Sequence, residues 1–225
     1  MYQIITGPLL WLSLSVFFVG CAWHVVDYFR GLDSSLDRVT YKVNTGHGVR
    51  AAMRSVAVWL VPFGTRSWRV KPIYTVLFYL FHIGAISVPL FTSGHAVIIQ
   101  ERWGIAWPAM PDALADTLTL GAMIACAGIL IRRLMLPEVR IITGTQDWMV
   151  LFLSAAPFYT GFIAYHQLGD GTFWTMAHIL AGEAMLVAVP FTKLSHIVHF
   201  FCSRIQIGMD FGIKRGGMKS PGFPW

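Results

Sequence analysis

Five apolar stretches in this chain of 225 residues are long enough to cross a membrane as helices. A hydrocarbon core of about 30 Å takes roughly 20 helical residues to cross. Hydrophobic residues make up 56% of the chain and charged residues only 12%, which is more apolar than a soluble domain of this length needs. The sequence therefore predicts an all-α membrane protein, a bundle of five transmembrane helices near residues 8–28, 73–99, 114–135, 148–167 and 173–201.

The basic residues collect in alternate connections between these stretches. Most lie in the 30–72 segment, a second group follows the third stretch, and a third group marks the C-terminus, whereas the opposite connections contain only Arg102. The positive-inside rule then predicts an N-terminus outside and a C-terminus in the cytoplasm. The net charge of +6 follows from this topology and from contact with lipid, so nucleic acid is not predicted as a partner.

Two basic segments extend beyond the predicted membrane helices. We predict one membrane domain over 1–205, which includes a cytoplasmic loop over 30–72, and a cytoplasmic docking tail over 206–225. Trp59 and Phe63 lie among the arginines of the loop, which favours packing on the membrane surface or on a partner; a solvated loop held by anionic lipid is the alternative. The tail is rich in Gly, Pro and Lys, so it is either disordered or docked on another subunit.

Four histidines lie inside the second and fifth stretches, where a polar side chain is costly and therefore a candidate for function. His178 and His196 are eighteen residues apart. On one continuous helix this interval is five turns, so both imidazoles leave the same face about 27 Å apart along the axis. One would lie near each membrane surface.

The predicted topology pairs these histidines with two others. Helix two runs outward and helix five runs inward, so His82 pairs with His196 in the inner half and His95 pairs with His178 in the outer half. Two imidazole pairs at two depths suit two stacked haems, and ligation on both sides of the iron favours electron transfer over oxygen chemistry. Hydrogen-bonded histidines near the interfaces are the alternative.

The interval between His82 and His95 fits a single helix face poorly. Thirteen residues on an ideal helix rotate the second imidazole by about 220° from the first. Pro89 and Gly94 lie near the second histidine, and a proline kink or a bulge there would correct the rotation. His166, at the outer end of helix four, is the best substitute for His95 as the outer ligand.

Other polar and small residues admit two interpretations each. His199 is a weaker substitute for His196, and His24 is predicted to be a packed or snorkelling histidine. Arg132 and Arg133, at the inner end of helix three, would neutralise haem propionates, although topology alone also places arginines there. Gly84, at the middle of helix two, leaves room for a macrocycle or for close helix packing.

The three cysteines occur singly. Cys21, Cys126 and Cys202 make no CxxC and no CxxCH pattern. Covalent c-type haem and cysteine-ligated clusters are therefore not predicted, and the cofactor expected is non-covalent haem b.

Three segments resemble the gamma subunit of respiratory nitrate reductase, a membrane cytochrome b, and its wider NarI-like family. They are FHIG at 81–84, RRLMLPEVRIITGTQD at 132–147, and PFTKLSH at 190–196 together with His178. The resemblance covers nearly all five helices. It implies two b haems, the outer one ligated by His95 and His178 and the inner one by His82 and His196, with menaquinone as a further candidate cofactor.

The long loop before helix two and the KRGG tail resemble relatives in transmembrane redox complexes of sulfate-reducing bacteria. This implies a multi-pass protein of the bacterial inner membrane, with other membrane subunits around it. It also implies a cytoplasmic iron–sulfur partner resembling heterodisulfide reductase and, as a further candidate, a periplasmic multihaem cytochrome c. Terminal catalysis would then belong to another subunit.

The leading hypothesis is an electron-transfer subunit that links a quinone pool or a periplasmic cytochrome to a cytoplasmic iron–sulfur partner. Asp112, Asp116 and His95 are the nearest candidates for proton handling at the outer haem. A histidine-based metal or proton transporter is one alternative, although Glu183 is the only acid well inside a predicted helix. A membrane anchor without a cofactor is the other alternative.

Overall fold

The computed structural model describes residues 2–32 and 45–216, with side chains described as far as residue 210. Residues 33–44 of the predicted loop and 217–225 of the predicted tail lie outside the described residues. We number the helices of the described residues in chain order: α1 Tyr2–Arg30, α2 Thr45–Leu60, α3 Arg66–Val70, α4 Pro72–Phe91, α5 Ser93–Trp103, α6 Asp112–Met135, α7 Pro137–Ile141, α8 Thr145–Tyr165, α9 Gly171–Phe191 and α10 His196–Gly216.

Five of these helices, α1, α4, α6, α8 and α9, are long and apolar enough to cross a membrane. They correspond to the five predicted stretches, because a run of some 20 apolar residues satisfies its backbone in hydrocarbon only as a helix. The prediction of an all-α, five-span membrane protein is confirmed for the described residues. The protein is a multi-pass membrane protein.

The predicted helix over 73–99 is interrupted. α4 ends at Phe91 and α5 begins at Ser93, and Thr92 between them is extended, with φ −67° and ψ 139°. Pro89 lies in the last turn of α4, where its missing N–H already weakens the hydrogen-bond ladder. The predicted kink or bulge near His95 is therefore a complete break between two helices.

The predicted helix over 173–201 is also two helices, so the prediction of one continuous helix is wrong. α9 ends at Phe191, and Thr192 is extended, with φ −129° and ψ −176°. The Thr192 hydroxyl accepts a hydrogen bond from the Leu194 backbone N–H at 3.2 Å, and a 3₁₀ turn leads into α10. His178 and His196 consequently lie on different helices, and their spacing of eighteen residues does not place them on one face.

The described residues divide into two compact units. Those of the first fall within Met1–Ser13 and Val76–Leu186, and those of the second within Leu14–Thr75 and Val187–Trp225. Each is described by itself below.

In the first unit α4 packs against α6 through small residues. A Cβ atom at Gly84 would lie 2.9 Å from the Leu118 carbonyl oxygen, and one at Gly121 would lie 2.7 Å from a Leu80 methyl group. Ala122 is completely buried. Gly84 thus serves close helix packing, as is usual for small residues between membrane helices.

In the second unit the predicted loop and tail both contribute helices, and these pack on each other. α2 buries Gly48, Ala52 and Ser55, which recur at helical spacing, and α10 meets this face with Gly208. The Arg204 guanidinium carbon lies 4.8 Å from the centre of the Trp59 ring. The predicted boundary at residue 205 falls within α10, so residues 206–216 continue a helix.

Gly208→Ala should lower the thermal stability of the protein. The added Cβ would lie 2.5 Å from the Ala52 Cα atom, and backbone cannot move aside without separating α2 from α10. Overpacking of this kind costs about 1–3 kcal/mol, and the measurement is Tm in detergent. Gly182→Ala is the control, because nothing lies within 4 Å of its Cβ position. An equal Tm for the two variants would contradict this packing.

Candidate functional site

Two of the predicted ligands, His95 on α5 and His178 on α9, face each other within the first unit. Their ring centroids are 5.9 Å apart and their planes differ by 6°. The break at Thr92 makes this possible, because His95 lies in the first turn of a new helix and no longer follows the rotation of α4.

Both imidazoles are held by the same kind of hydrogen bond. Nδ1 of His95 lies 2.8 Å from the Pro89 carbonyl oxygen, and Nδ1 of His178 lies 3.0 Å from the Pro157 carbonyl oxygen. A carbonyl oxygen can only accept, so each Nδ1 carries the proton and donates. Each Nε2 then bears the lone pair, and it makes no hydrogen bond to the described residues.

The carbonyl that holds His95 is available because of where α4 ends. Pro89 lies within the last four residues of α4, whose carbonyls have no intrahelical donor. In a membrane a backbone carbonyl without a hydrogen bond lowers stability by several kcal/mol, because hydrocarbon contains no water to solvate it. The imidazole N–H of His95 satisfies the carbonyl, and the carbonyl fixes the orientation of the ring.

Gly161 on α8 makes room for the His178 ring. A Cβ atom at this position would lie 2.8 Å from Cε1 and 2.9 Å from Nδ1 of His178. Any larger residue would push the imidazole away from the Pro157 carbonyl. This role was not predicted, because a single glycine in an apolar helix has many explanations.

The other two predicted ligands are described separately, because His82 lies in the first unit and His196 in the second. Nδ1 of His82 donates to the Phe78 carbonyl oxygen at 2.7 Å, and Nδ1 of His196 donates to the Lys193 carbonyl oxygen at 2.9 Å. Both rings therefore use Nδ1 as His95 and His178 do. Their pairing stays a prediction.

Two histidines that were not preferred as ligands use the opposite nitrogen. Nε2 of His166 lies 2.9 Å from an Asp116 carboxylate oxygen, and Nε2 of His24 lies 2.7 Å from the Pro190 carbonyl oxygen. This arrangement favours His95 over His166 as the partner of His178. His24 is packed, and its ring centroid lies 4.9 Å from that of His199.

Polar side chains around the start of α6 form two pairs in the first unit. Ser93 donates to Asp112 at 2.8 Å. Asp116 pairs with His166. The two acids predicted as proton-handling groups thus have specific partners, of which Ser93 was not predicted.

The predicted propionate partners lie at the end of α6. The Arg133 guanidinium donates to the Thr143 hydroxyl at 3.2 Å and lies 3.9 Å from the Asp147 carboxylate, while its Nε is buried without a hydrogen-bond partner in the described residues. Arg132 precedes it on the same helix. Arg133 thus already lies beside an acid of this chain.

The cysteines are free thiols, as their single occurrence predicts. Cys202, on α10, is buried, and this burial raises the pKa of its thiol. Among the described residues no group of three or more His, Cys, Asp or Glu side chains is gathered closely enough to hold a metal ion.

His24→Leu should destabilise the protein without disturbing the His95–His178 pair. The change removes the hydrogen bond to the Pro190 carbonyl and leaves that oxygen unsatisfied, which costs about 1–3 kcal/mol. Thermal unfolding in detergent measures the loss. An unchanged Tm would show that water or lipid replaces the imidazole at this carbonyl.

No protein-family model matches the chain. A protein of Nitratidesulfovibrio vulgaris (strain Hildenborough) is 55% identical to it over 226 residues, and the alignment covers 100% of both chains. Such identity over the whole length includes the five membrane helices. The chain therefore belongs to the same family as this Nitratidesulfovibrio vulgaris protein.

Proposed function

We propose that this protein is a two-haem cytochrome b subunit that moves electrons across a membrane. It would link a quinone pool or a periplasmic cytochrome c to a cytoplasmic iron–sulfur subunit. The observation that carries the proposal is the His95–His178 pair, with parallel rings 5.9 Å apart and both Nε2 atoms without a hydrogen bond.

The spacing of these rings fits one iron atom held between them. Bonds from imidazole nitrogen to a metal are about 2 Å, so two imidazoles that ligate one metal place their ring centroids about 6 Å apart. The centroid separation of 5.9 Å agrees with this expectation. Gly161, which leaves no side chain against the His178 ring, supports the same interpretation.

The hydrogen bonds of the two imidazoles suit axial ligands. A ligating histidine usually donates its other N–H to a carbonyl or carboxylate, which fixes the tautomer and makes the ligand nitrogen more basic. The Pro89 and Pro157 carbonyls would perform this role here. A haem with imidazole on both sides has no open coordination position and supplies one-electron transfer.

The second haem of the proposal uses His82 and His196. Support comes from their shared Nδ1 hydrogen bonds to backbone carbonyls and from the resemblance to membrane cytochromes b. Arg132 and Arg133 would lie near the propionates of a haem at that depth, and a positive charge there would offset their negative charge.

A surface cleft lined in part by residues of α8 and α9 supports the quinone branch of the proposal. Thr175 and Ala164 line it, three residues before His178 and three after Gly161, together with Gln167 and Thr172. Hydroxyl and amide groups can hydrogen-bond the oxygens of a quinone ring. Asp116 and His166, which are hydrogen-bonded to each other, are candidates for accepting protons from a quinol such as menaquinol.

The setting we propose is the bacterial inner membrane, with the N-terminus outside and the C-terminus in the cytoplasm. The relative from Nitratidesulfovibrio vulgaris comes from a sulfate reducer, which agrees with a place in a redox complex of such bacteria. The partners would be other membrane subunits, a cytoplasmic iron–sulfur subunit resembling heterodisulfide reductase and a periplasmic multihaem cytochrome c. Terminal catalysis would occur on one of them.

His178→Ala should remove one haem and leave the other, and His196→Ala should remove the other haem. The purified wild-type protein should contain two non-covalent haems per chain, and each variant should contain one. Pyridine haemochrome analysis counts the haems, and a reduced-minus-oxidised spectrum identifies them as type b. His24→Leu is the matched control, because His24 uses Nε2 for a backbone carbonyl, and it should retain both haems.

The haem count also separates the rival functions. A folded wild-type protein without haem would overturn the proposal and favour a transporter or an anchor. A single haem lost only in His178→Ala would limit the proposal to the His95–His178 pair.

Gly161→Ala should reduce the haem content at the His178 site by displacing the imidazole. The new methyl group would lie within 2.9 Å of two ring atoms, so the ring must leave its hydrogen bond to Pro157. Gly94→Ala is the control, since it lies next to His95 and nothing lies within 4 Å of its Cβ position. Equal haem content in the two variants would count against the proposed role of Gly161.

A further inference from the structure

Glu183 lies near the middle of the membrane helix α9 and is buried without a partner. Its side chain is 5% exposed, and both carboxyl oxygens are buried with no hydrogen bond to any described residue. The other acids of the membrane helices lie near helix ends: Asp27, Asp112, Asp116 and Asp147. Glu183 therefore needs a separate explanation.

The usual reasons for a buried carboxylate do not apply to Glu183. Neither carboxyl oxygen has a hydrogen-bond partner among the described residues, and the carboxyl makes no salt bridge with a described residue. The nearest titratable residue on α9, His178, is five residues away. The helix dipole does not stabilise a charge at Glu183 either, because its effect is limited to the first and last turns of a helix.

Contact with a partner subunit or a lipid headgroup does not explain the buried carboxyl either. The carboxyl is enclosed by this chain's own atoms, so no external group reaches it without a rearrangement. An isolated carboxylate in hydrocarbon is so costly that the group is held as the neutral acid unless a positive charge is nearby. A permanently neutral acid would contribute nothing that an apolar side chain of similar size could not supply at lower cost.

The position of Glu183 relative to His178 provides such a charge. Five residues of helix correspond to about 7.5 Å along the axis and about 140° of rotation, so the carboxyl and the imidazole leave different faces of α9. A haem iron held by His95 and His178 would carry one more positive charge when oxidised than when reduced. Because a low-dielectric interior screens charge weakly, a unit charge one to two helical turns away changes the balance between carboxylate and carboxylic acid.

We propose that Glu183 is a proton-binding site coupled to the electron that this subunit carries, an inference that rests on the proposed function. One electron from a quinol or a reduced c-type cytochrome enters the haem at His95 and His178, and the Glu183 carboxylate takes up one proton from the water phase. The electron leaves for the iron–sulfur partner, and the carboxylic acid releases the proton. Each electron that passes thus has its charge compensated inside the membrane.

Redox-difference infrared spectroscopy on the purified complex tests this proposal. Reduction of the wild-type protein should produce a C=O band of a protonated carboxylic acid that shifts in heavy water. Glu183→Gln should lack the band, whereas Glu138→Gln, which alters an exposed acid on α7, should keep it. The haem midpoint potential should fall with rising pH in the wild type, because reduction takes up a proton, and this slope should flatten in Glu183→Gln.

The outcomes distinguish failure of this inference from failure of the proposed function. A wild-type protein that contains haem but shows no carboxylic acid band on reduction overturns the role of Glu183 and leaves the cytochrome intact. A wild-type protein without haem overturns the proposed function, and the inference with it. If Glu183→Gln folds poorly, Glu183→Leu removes the carboxyl without burying an amide, and retention of the band in that variant also overturns the inference.

Discussion

Hydrogen bonds between proline carbonyls and histidine rings organise the polar interior of this membrane protein. Hydrocarbon offers no water, so a backbone carbonyl that loses its helical donor must find another donor within the protein. His95 and His24 take this role at the ends of α4 and α9, and His178 donates to a proline carbonyl within α8 that the Thr160 hydroxyl also contacts. The pairs are Pro89 with His95, Pro157 with His178, and Pro190 with His24.

The ring nitrogen used in each pair decides what the imidazole can do next. His95 and His178 donate from Nδ1, and their Nε2 lone pairs are left for a metal. His24 uses Nε2, the nitrogen farther from the backbone, for its hydrogen bond to the Pro190 carbonyl, and this bond links α1 to the end of α9. The same interaction therefore produces candidate ligands at two positions and a packing contact at the third.

Much of the fold could be predicted because the length of an apolar stretch determines whether it spans a membrane. α6 and α8 begin and end within three residues of the predicted bounds. The break at Thr192 was missed because the apolar pattern continues past Pro190, and the Thr192 cap that ends the helix depends on local backbone angles. Pro89 did indicate the interruption before His95.

The site was predictable only in part. Topology alone suggested that His95 and His178 share a depth, whereas the hydrogen bonds that select their tautomers depend on where α4 ends and on the side chain missing at Gly161. The sequence also identified Glu183 as an unusual acid. Its lack of a partner depends on tertiary structure, which a local sequence pattern does not contain.

The break at Thr92 has a consequence for how this family can vary in length. Only two residues separate Thr92 from His95. An insertion or deletion of one residue there would rotate the imidazole by about 100° around the α5 axis and turn it away from His178. The connection between α5 and α6 has no such restriction, because it carries neither ring. Natural length differences among relatives should therefore accumulate after Trp103 and be absent between Thr92 and His95.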